Sequence, residues 1–406
     1  MLMLSLALFQ AGHYFANATI YDADTQTMAP GYHILVDDNG QVELVARKPI
    51  QPPGEYKTVT DTTILPHYSD FYSLIQDRGL GMDSDLSGET QDRMARYFRT
   101  MGLYALRDPV FPRQGVTAAL DEDTRVLAQQ GYLELKGGPG RMFSLVIDPD
   151  KPNDDYPFPV SGPITLWWTD NGTGEPILWT RHEGLVQELI NRFHNQGRRV
   201  GCFIQDADSQ AVASANSFPF DFYEGIPKED VDVSFFRKDL IWAPITVLND
   251  HRYCAERVEK RLASASKLGL FGPNDLLRIQ GQLDRAMSAL RDRCLVWKKR
   301  RERAFLGITQ WIGNGGAIAI GSAGGHAFSF SGGMEAELRN LANLGLSDKA
   351  QLAALFQHTP HLLGEQTPFL TPGKPAHFIV YDRQSDVLKL IGKRVSYNFT
   401  KGKLIK

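Results

Sequence analysis

Hydrophobic and polar positions alternate at both ends of the chain and follow a longer rhythm in between. Near the N-terminus, "YFANATIYD" (14–22) alternates, "APGY" (29–32) turns, and "HILVDD" (33–38) alternates again. "DNGQ" (38–41) supplies an Asn-Gly turn before "VELVA" (42–46), so the pattern predicts a strand hairpin. At the other end, "AHFIVYD" (376–382), "VLKLIGK" (387–393) and "VSYNFTKGKLI" (395–405) read as strands separated by polar turns. Chain termini often lie close together. Residues 1–62 and 366–406 are therefore expected to share one small β-sandwich domain.

The middle segment alternates between strands and helices. "GLYALRD" (102–108), "ITLWWT" (164–169), "VGCFIQ" (200–205) and "AIAIGS" (317–322) are short apolar strands. In "EGLVQELINRFHNQGRR" (183–199), Leu185, Leu189, Ile190 and Phe193 follow the helical period, and Gly197 lies just past them. "GGMEAELRNLANLG" (332–345) and "SDKAQLAALFQHTPHLLG" (347–364) are further helices, the second with Ser347 as N-cap. This alternation places the chain in the α/β class and predicts a (β/α)8 TIM-like barrel over 63–365. Residues 137–159, dense in Gly, Pro and Asp, read as a long loop over the barrel mouth.

Composition narrows the function classes. A net charge of −3 argues against a nucleic-acid partner. The basic run "KKRRER" (298–303) ends an amphipathic pattern of Leu276, Ile279, Leu283, Met287, Leu290, Cys294 and Trp297, and reads as a solvated helix end. The three cysteines show neither C-x-x-C spacing nor a disulfide framework, so they do not assign a compartment. The apolar run Leu2–Phe9 is too short to span a bilayer. It is either the core of a secretory signal, though no basic residue precedes it, or a first β-strand. Localisation is thus open between cytoplasmic and secreted or periplasmic, and no transmembrane segment is expected.

Several of these phrases together resemble the amidohydrolase superfamily, with a layout most similar to its imidazolonepropionase-like and dipeptidase-like branch. "ILPHYSDFYSL" (64–74) resembles the first barrel strand, "MGLYALRD" (101–108) the second, and "AIAIGSAGG" (317–325) the last. The stretch from "ELRNLANLG" through "TPGKPAHFIVYD" is similar to the closing signature that returns the chain to the small domain. The resemblance implies hydrolysis of C–N or amide bonds by a hydroxide formed on a divalent metal. It also implies where the ligands should stand. The His-x-His of the first strand falls on Tyr72 and Leu74, the next ligand on Thr165, and the following histidines on Phe203 and Glu224. The aspartate of the last strand falls on Ala323. Leu, Phe and Ala offer no lone pair to a metal, and Tyr and Thr are poor zinc ligands at neutral pH. No cofactor is therefore expected, and metal-dependent hydrolysis is not available with these residues.

Polar groups nevertheless remain at or just after the matched strands. Asp70 and Glu224 are candidates for a carboxylate pair in acid–base work, while Asp70 can equally brace a strand end. Ser322 and His326 stand at nucleophile–base spacing, but in a Gly-rich loop without a G-x-S-x-G elbow. His358 and His361 lie near a helix end, where a cation favours the dipole, and are a weaker metal-ligand pair. Trp167 and Trp168 should point to opposite faces of their strand. A pocket lined by Tyr72, Leu74, Thr165, Trp167, Phe203, Gln205, Ser322 and Ala323 would suit a small molecule. Two readings follow. One is a metal-free, non-catalytic relative that binds a small molecule or partners an active amidohydrolase in a homo- or hetero-oligomer. The other is a metal-independent hydrolase or lyase using Asp70, Glu224 or His326.

Overall fold

The structure is a computed structural model that describes residues 12–72, 87–108, 125–128, 132–135, 144–151, 162–168, 178–228, 231–247, 260, 262–264, 266–322, 333–365, 369–382 and 386–405. The chain divides into two compact units. One comprises 1–68, 100–102 and 366–406, and the other 69–99 and 103–365.

In the first unit, β1 (Gly12–Asp22), β2 (Thr27–Val36), β3 (Val42–Ala46), β4 (Tyr56–Thr60) and β5 (Thr63–Leu65) join the C-terminal strands Phe378–Tyr381, Tyr397–Thr400 and Lys403–Leu404. All eight belong to one hydrogen-bonded sheet that joins both chain ends, as expected of a small domain shared by them. The short β5 explains this. It pairs parallel with β1 (Thr19 opposite Thr63) and antiparallel with the strand Phe378–Tyr381 (Val380 opposite Ile64), so one ladder runs through both chain ends. The alternation buries Phe15, Ile34, Val36, Ile64, Phe378, Val380 and Phe399 together. Asp37 closes the β2–β3 turn: its carboxylate accepts from Asn39 N at 3.0 Å and Gln41 N at 2.6 Å. Gly40 sits there at φ 75°, where a Cβ would fall 1.7 Å from Gly402 O, so only glycine fits. "VLKLIGK" is not a strand; Val387–Lys389 forms a 3-10 turn capped by Asp386.

A histidine pair is buried in this unit. The rings of His67 and His377 lie 4.3 Å apart, and His67 Nε2 is 2.8 Å from Asn398 Oδ1. Burial pushes His67 down to about 4, and burial together with the His67 and Lys401 charges pushes His377 lower still. Folding therefore excludes protons that the unfolded chain takes up. The stabilisation is complete above pH ~6.5 and is lost as pH falls toward ~4, by about 3 kcal/mol for His67 alone. We expect the urea midpoint of this unit to fall between pH 7 and pH 5, and His377→Phe to flatten that slope. Equal slopes for wild type and variant would contradict this account.

The second unit carries two further sheets. β6 (Tyr68–Asp70), β7 (Leu103–Asp108) and β8 (Arg125–Ala128) form one. β9 (Tyr132–Leu135), β10 (Ser144–Ile147), β11 (Ile164–Trp167), β12 (Val200–Phe203), β13 (Phe222–Glu224), β14 (Ile241–Ala243) and β15 (Ala317–Ile318) form the other, in the order β10-β9-β11-β12-β13-β14-β15. The chain is thus a mixed α/β protein with a curled sheet. Phe71 N, just past β6, donates to Ile320 O, just past β15, at 2.9 Å. The ladders among the described residues nevertheless stop short of a closed eight-stranded barrel. β10 lies inside the stretch expected as a loop, because the apolar "SLVI" adds a parallel strand beside β9.

Helices connect the strands. α1 (Gly88–Thr100) precedes β7, α2 (Glu183–Asn195) links β11 to β12, and α3 (Ser209–Ala215) links β12 to β13. α2 buries Val186, Leu189, Ile190 and Phe193, and Gly197 follows at φ 70°. α4 (Pro273–Gly313) is a single long helix between β14 and β15. The basic run 298–303 is therefore mid-helix and not a helix end, since Phe305, Ile308 and Trp311 continue the buried face. α5 (Met334–Asn343) and α6 (Asp348–Ala353) follow, and Ser347 Oγ caps α6 by accepting from Ala350 N. Inside the unit, Phe71, Ala105, Phe222, Ala243 and Ala319 pack as one cluster. Phe222 lies over Gly201, where a Cβ would meet its ring at 2.0 Å.

Candidate functional site

Asp70 ends β6 and is 2% exposed. Its carboxylate accepts from Tyr72 N at 3.1 Å, from Ser322 N at 2.8 Å and from the Ser322 hydroxyl. Burial pushes this carboxyl up to about 7, against the pull of those three donors. The side chain thus ties the residues after β6 to those after β15. It also places a near-neutral acid beside a buried hydroxyl, which general acid–base chemistry requires.

Glu224 ends β13 and is bound quite differently. Arg107 donates to its Oε2 at 2.8 Å, and both side chains are fully buried. Thr165 donates to the same oxygen at 2.9 Å and accepts from Arg107 at 2.6 Å. The guanidinium also lies 4.7 Å from the Phe71 ring. Asp70 and Glu224, the expected carboxylate pair, are held by different groups. Each has its own partners, because an arginine from β7 neutralises Glu224 while Asp70 is held by neutral donors.

Parallel pairing puts Trp167 opposite Phe203, and Phe203 opposite Glu224, at the ends of β11, β12 and β13. The Trp167 and Phe203 rings meet in a tilted contact with centroids 4.4 Å apart, each 7% exposed. Trp168 diverges from its neighbour: its Nε1 donates to Ala211 O at 3.0 Å, beneath α3. Gln205 accepts from Ile226 N at 3.1 Å and so holds the turn after β13. In the larger unit, Asp206 (59°) and the β-branched Ile245 (51°), both past strand ends, carry positive φ.

Arg107 and Glu337 were not among the residues singled out from the sequence. Arg107 shares a strand face with Ala105, two residues before it, a signal visible in "YALRD". Glu337 sits on the buried stripe of α5 with Met334, Leu338 and Leu341. Its carboxylate accepts from Thr246 N (2.9 Å), Thr246 Oγ1 (2.7 Å) and Val247 N (2.7 Å), fixing the chain beside Ile245.

Leu74, Ala323 and His326 lie outside the described residues, so the Ser322–His326 reading has no geometry here; the Ser322 hydroxyl is given to Asp70. His358 Nδ1 is 3.0 Å from Ile318 O, His361 Nε2 is 3.0 Å from Arg199, and burial lowers the pKa of both. No group of three or more His, Cys, Asp or Glu among the described residues is arranged to hold a metal ion. No helix among them is long and apolar enough to cross a membrane.

No protein-family model and no curated protein sequence matches the chain. Solved structures do. A Xaa-Pro dipeptidase with methionine bound in its active site matches with a TM-score of 0.66 at 14% identity, over 98% of this chain and 100% of that one. An amidohydrolase matches with a TM-score of 0.60 at 16% identity, over 97% and 99%. Ochratoxinase from A. niger matches with a TM-score of 0.64 at 14% identity, over 98% and 96%. These neighbours belong to the amidohydrolase superfamily, and at such identities they establish a shared fold.

Proposed function

We propose that this chain is an amidohydrolase-superfamily protein whose barrel, residues 63–365, no longer carries out metal-dependent hydrolysis. In this reading it binds a small molecule or serves as a non-catalytic partner subunit. Its small β domain is built from residues 1–62 and 366–406. The observation that carries the reading is the buried Arg107–Glu224 ion pair with Thr165. A divalent ion needs free, deprotonated donors converging on one point. Glu224 has its Oε2 committed to a guanidinium and a hydroxyl, and Phe203 beside it has no lone pair. Among the described residues this donor set does not fit a metal, and the fixed positive charge of Arg107 stands next to the carboxylate a cation would require.

The neighbours named as dipeptidase and ochratoxinase indicate which substrates to try first, an Xaa-Pro dipeptide and ochratoxin. We expect protein produced with added zinc, manganese or cobalt to hold well under one metal per chain by elemental analysis and to leave both substrates intact. Stoichiometric metal together with turnover of either would overturn the reading.

One observation favours the alternative, a metal-independent hydrolase or lyase. The Asp70 carboxyl is pushed up to about 7 and sits on the Ser322 hydroxyl. That is the protonation balance of a general base serving a serine. Against it, Tyr72 N and Ser322 N also occupy the carboxylate, as in a structural brace.

A further inference from the structure

The net charge of −3 conceals a local concentration of the opposite sign on α4. Lys298, Lys299, Arg300, Arg301 and Arg303 fall within six residues, interrupted only by Glu302. All but Arg301, which lies 4.9 Å from the Phe305 ring, are exposed. The same helix displays apolar side chains to solvent. Leu277 is 72% exposed, Leu295 61%, Val296 50% and Leu306 52%, four of the eight exposed large hydrophobics among the described residues. The helical period sorts these positions. Leu295, Lys299, Glu302 and Leu306 form one stripe, spanning about 16 Å, and Val296, Arg300 and Arg303 form the adjoining one. The opposite side is the buried one, with Phe305, Ile308 and Trp311. The outer face therefore interleaves aliphatic and basic side chains on a helix already anchored to the protein.

We propose that this face of α4 docks on a membrane surface rich in anionic lipid. Aliphatic side chains of this reach insert at the headgroup boundary while lysine and arginine extend to the phosphates. Charge complementarity favours such a surface over the other occupants. A second copy would bring two basic runs against each other, and like charges at an interface oppose docking. An acidic protein partner would be met by leucine and valine, where protein hot spots favour tryptophan, tyrosine and arginine. The helix lies on the bilayer and does not cross it, consistent with its charge density.

Sedimentation of the full chain with vesicles tests the proposal. The protein should pellet with phosphatidylcholine vesicles containing phosphatidylserine, release as salt rises, and ignore pure phosphatidylcholine. Each basic residue at an anionic surface contributes roughly fivefold to partition, so Lys298→Gln, Lys299→Gln and Arg303→Gln combined should weaken binding about 100-fold. Leu295→Ser with Leu306→Ser should weaken it independently of salt. These side chains are exposed, so both variants should unfold at the wild-type temperature. Failure to pellet with phosphatidylserine, equal binding to both vesicles, or undiminished binding by the charge variant would overturn the proposal. So would a concentration-dependent dimer that the charge variant abolishes, which would assign the face to a second copy.

Discussion

Glu224→Gln is expected to destabilise the larger unit by about 3–5 kcal/mol, because it leaves the Arg107 guanidinium buried without a counter-charge. The substitution is nearly isosteric, so packing loss does not explain such an effect. A domain's whole stability is roughly 5–15 kcal/mol, so the variant should unfold at visibly lower urea. Arg107→Met should be comparably damaging, since it buries an unpaired carboxylate. The double variant Arg107→Met with Glu224→Leu should recover much of the loss, because removing both charges also removes their desolvation penalty. The same variants bear on function. A catalytic Glu224 would leave the fold intact and lose turnover on becoming glutamine. A Glu224 that completes an internal ion pair loses stability first. A Glu224→Gln protein within about 0.5 kcal/mol of wild type would sink the ion-pair account, since surface-like positions behave that way.

The unequal legibility of the chain has physical causes. β7, β11 and β12 stand out because strands buried on both faces are continuous apolar runs, and α2 because its apolar residues recur at 3.6. β10 was hidden because four apolar residues sit inside a stretch whose Gly, Pro and Asp dominate any local reading. The joining of both chain ends into one ladder is set at β5, whose three residues are too few to carry a period. Arg107 carries no local signal because its partner is 117 positions away. Glu337 depends likewise on Thr246, 91 positions earlier. The positions Tyr72, Thr165, Phe203 and Glu224 were located through resemblance. What geometry added is that Glu224 and Thr165 share one arginine, while Asp70 belongs to a separate cluster with Ser322, 252 positions on.

Asp70→Asn should separate the two functional readings through pH. Burial raises this carboxyl from 3.8 to about 7, so the folded chain holds a proton that the unfolded chain releases. For an acid shifted upward, the resulting stabilisation is complete below pH ~4 and is lost as pH rises through ~7. Above that, the folded state carries an ionised carboxylate in a buried site, at a cost of up to ~4 kcal/mol relative to pH 4. Asparagine keeps an oxygen for Tyr72 N and Ser322 N and does not titrate. The variant should therefore start about 1 kcal/mol below wild type at pH 5, from the weakened bond to the Ser322 hydroxyl, and gain on it steadily toward pH 8. Urea unfolding at the two pH values reads this directly, and parallel profiles would show that Asp70 does not titrate as described. If Asp70 also serves as a base, Asp70→Asn and Ser322→Ala should each abolish whatever metal-independent hydrolysis wild type shows, with a rate that rises through pH ~7 before the substitution. A stability crossover without any such activity leaves Asp70 as the brace between the ends of β6 and β15, and with it the non-catalytic reading.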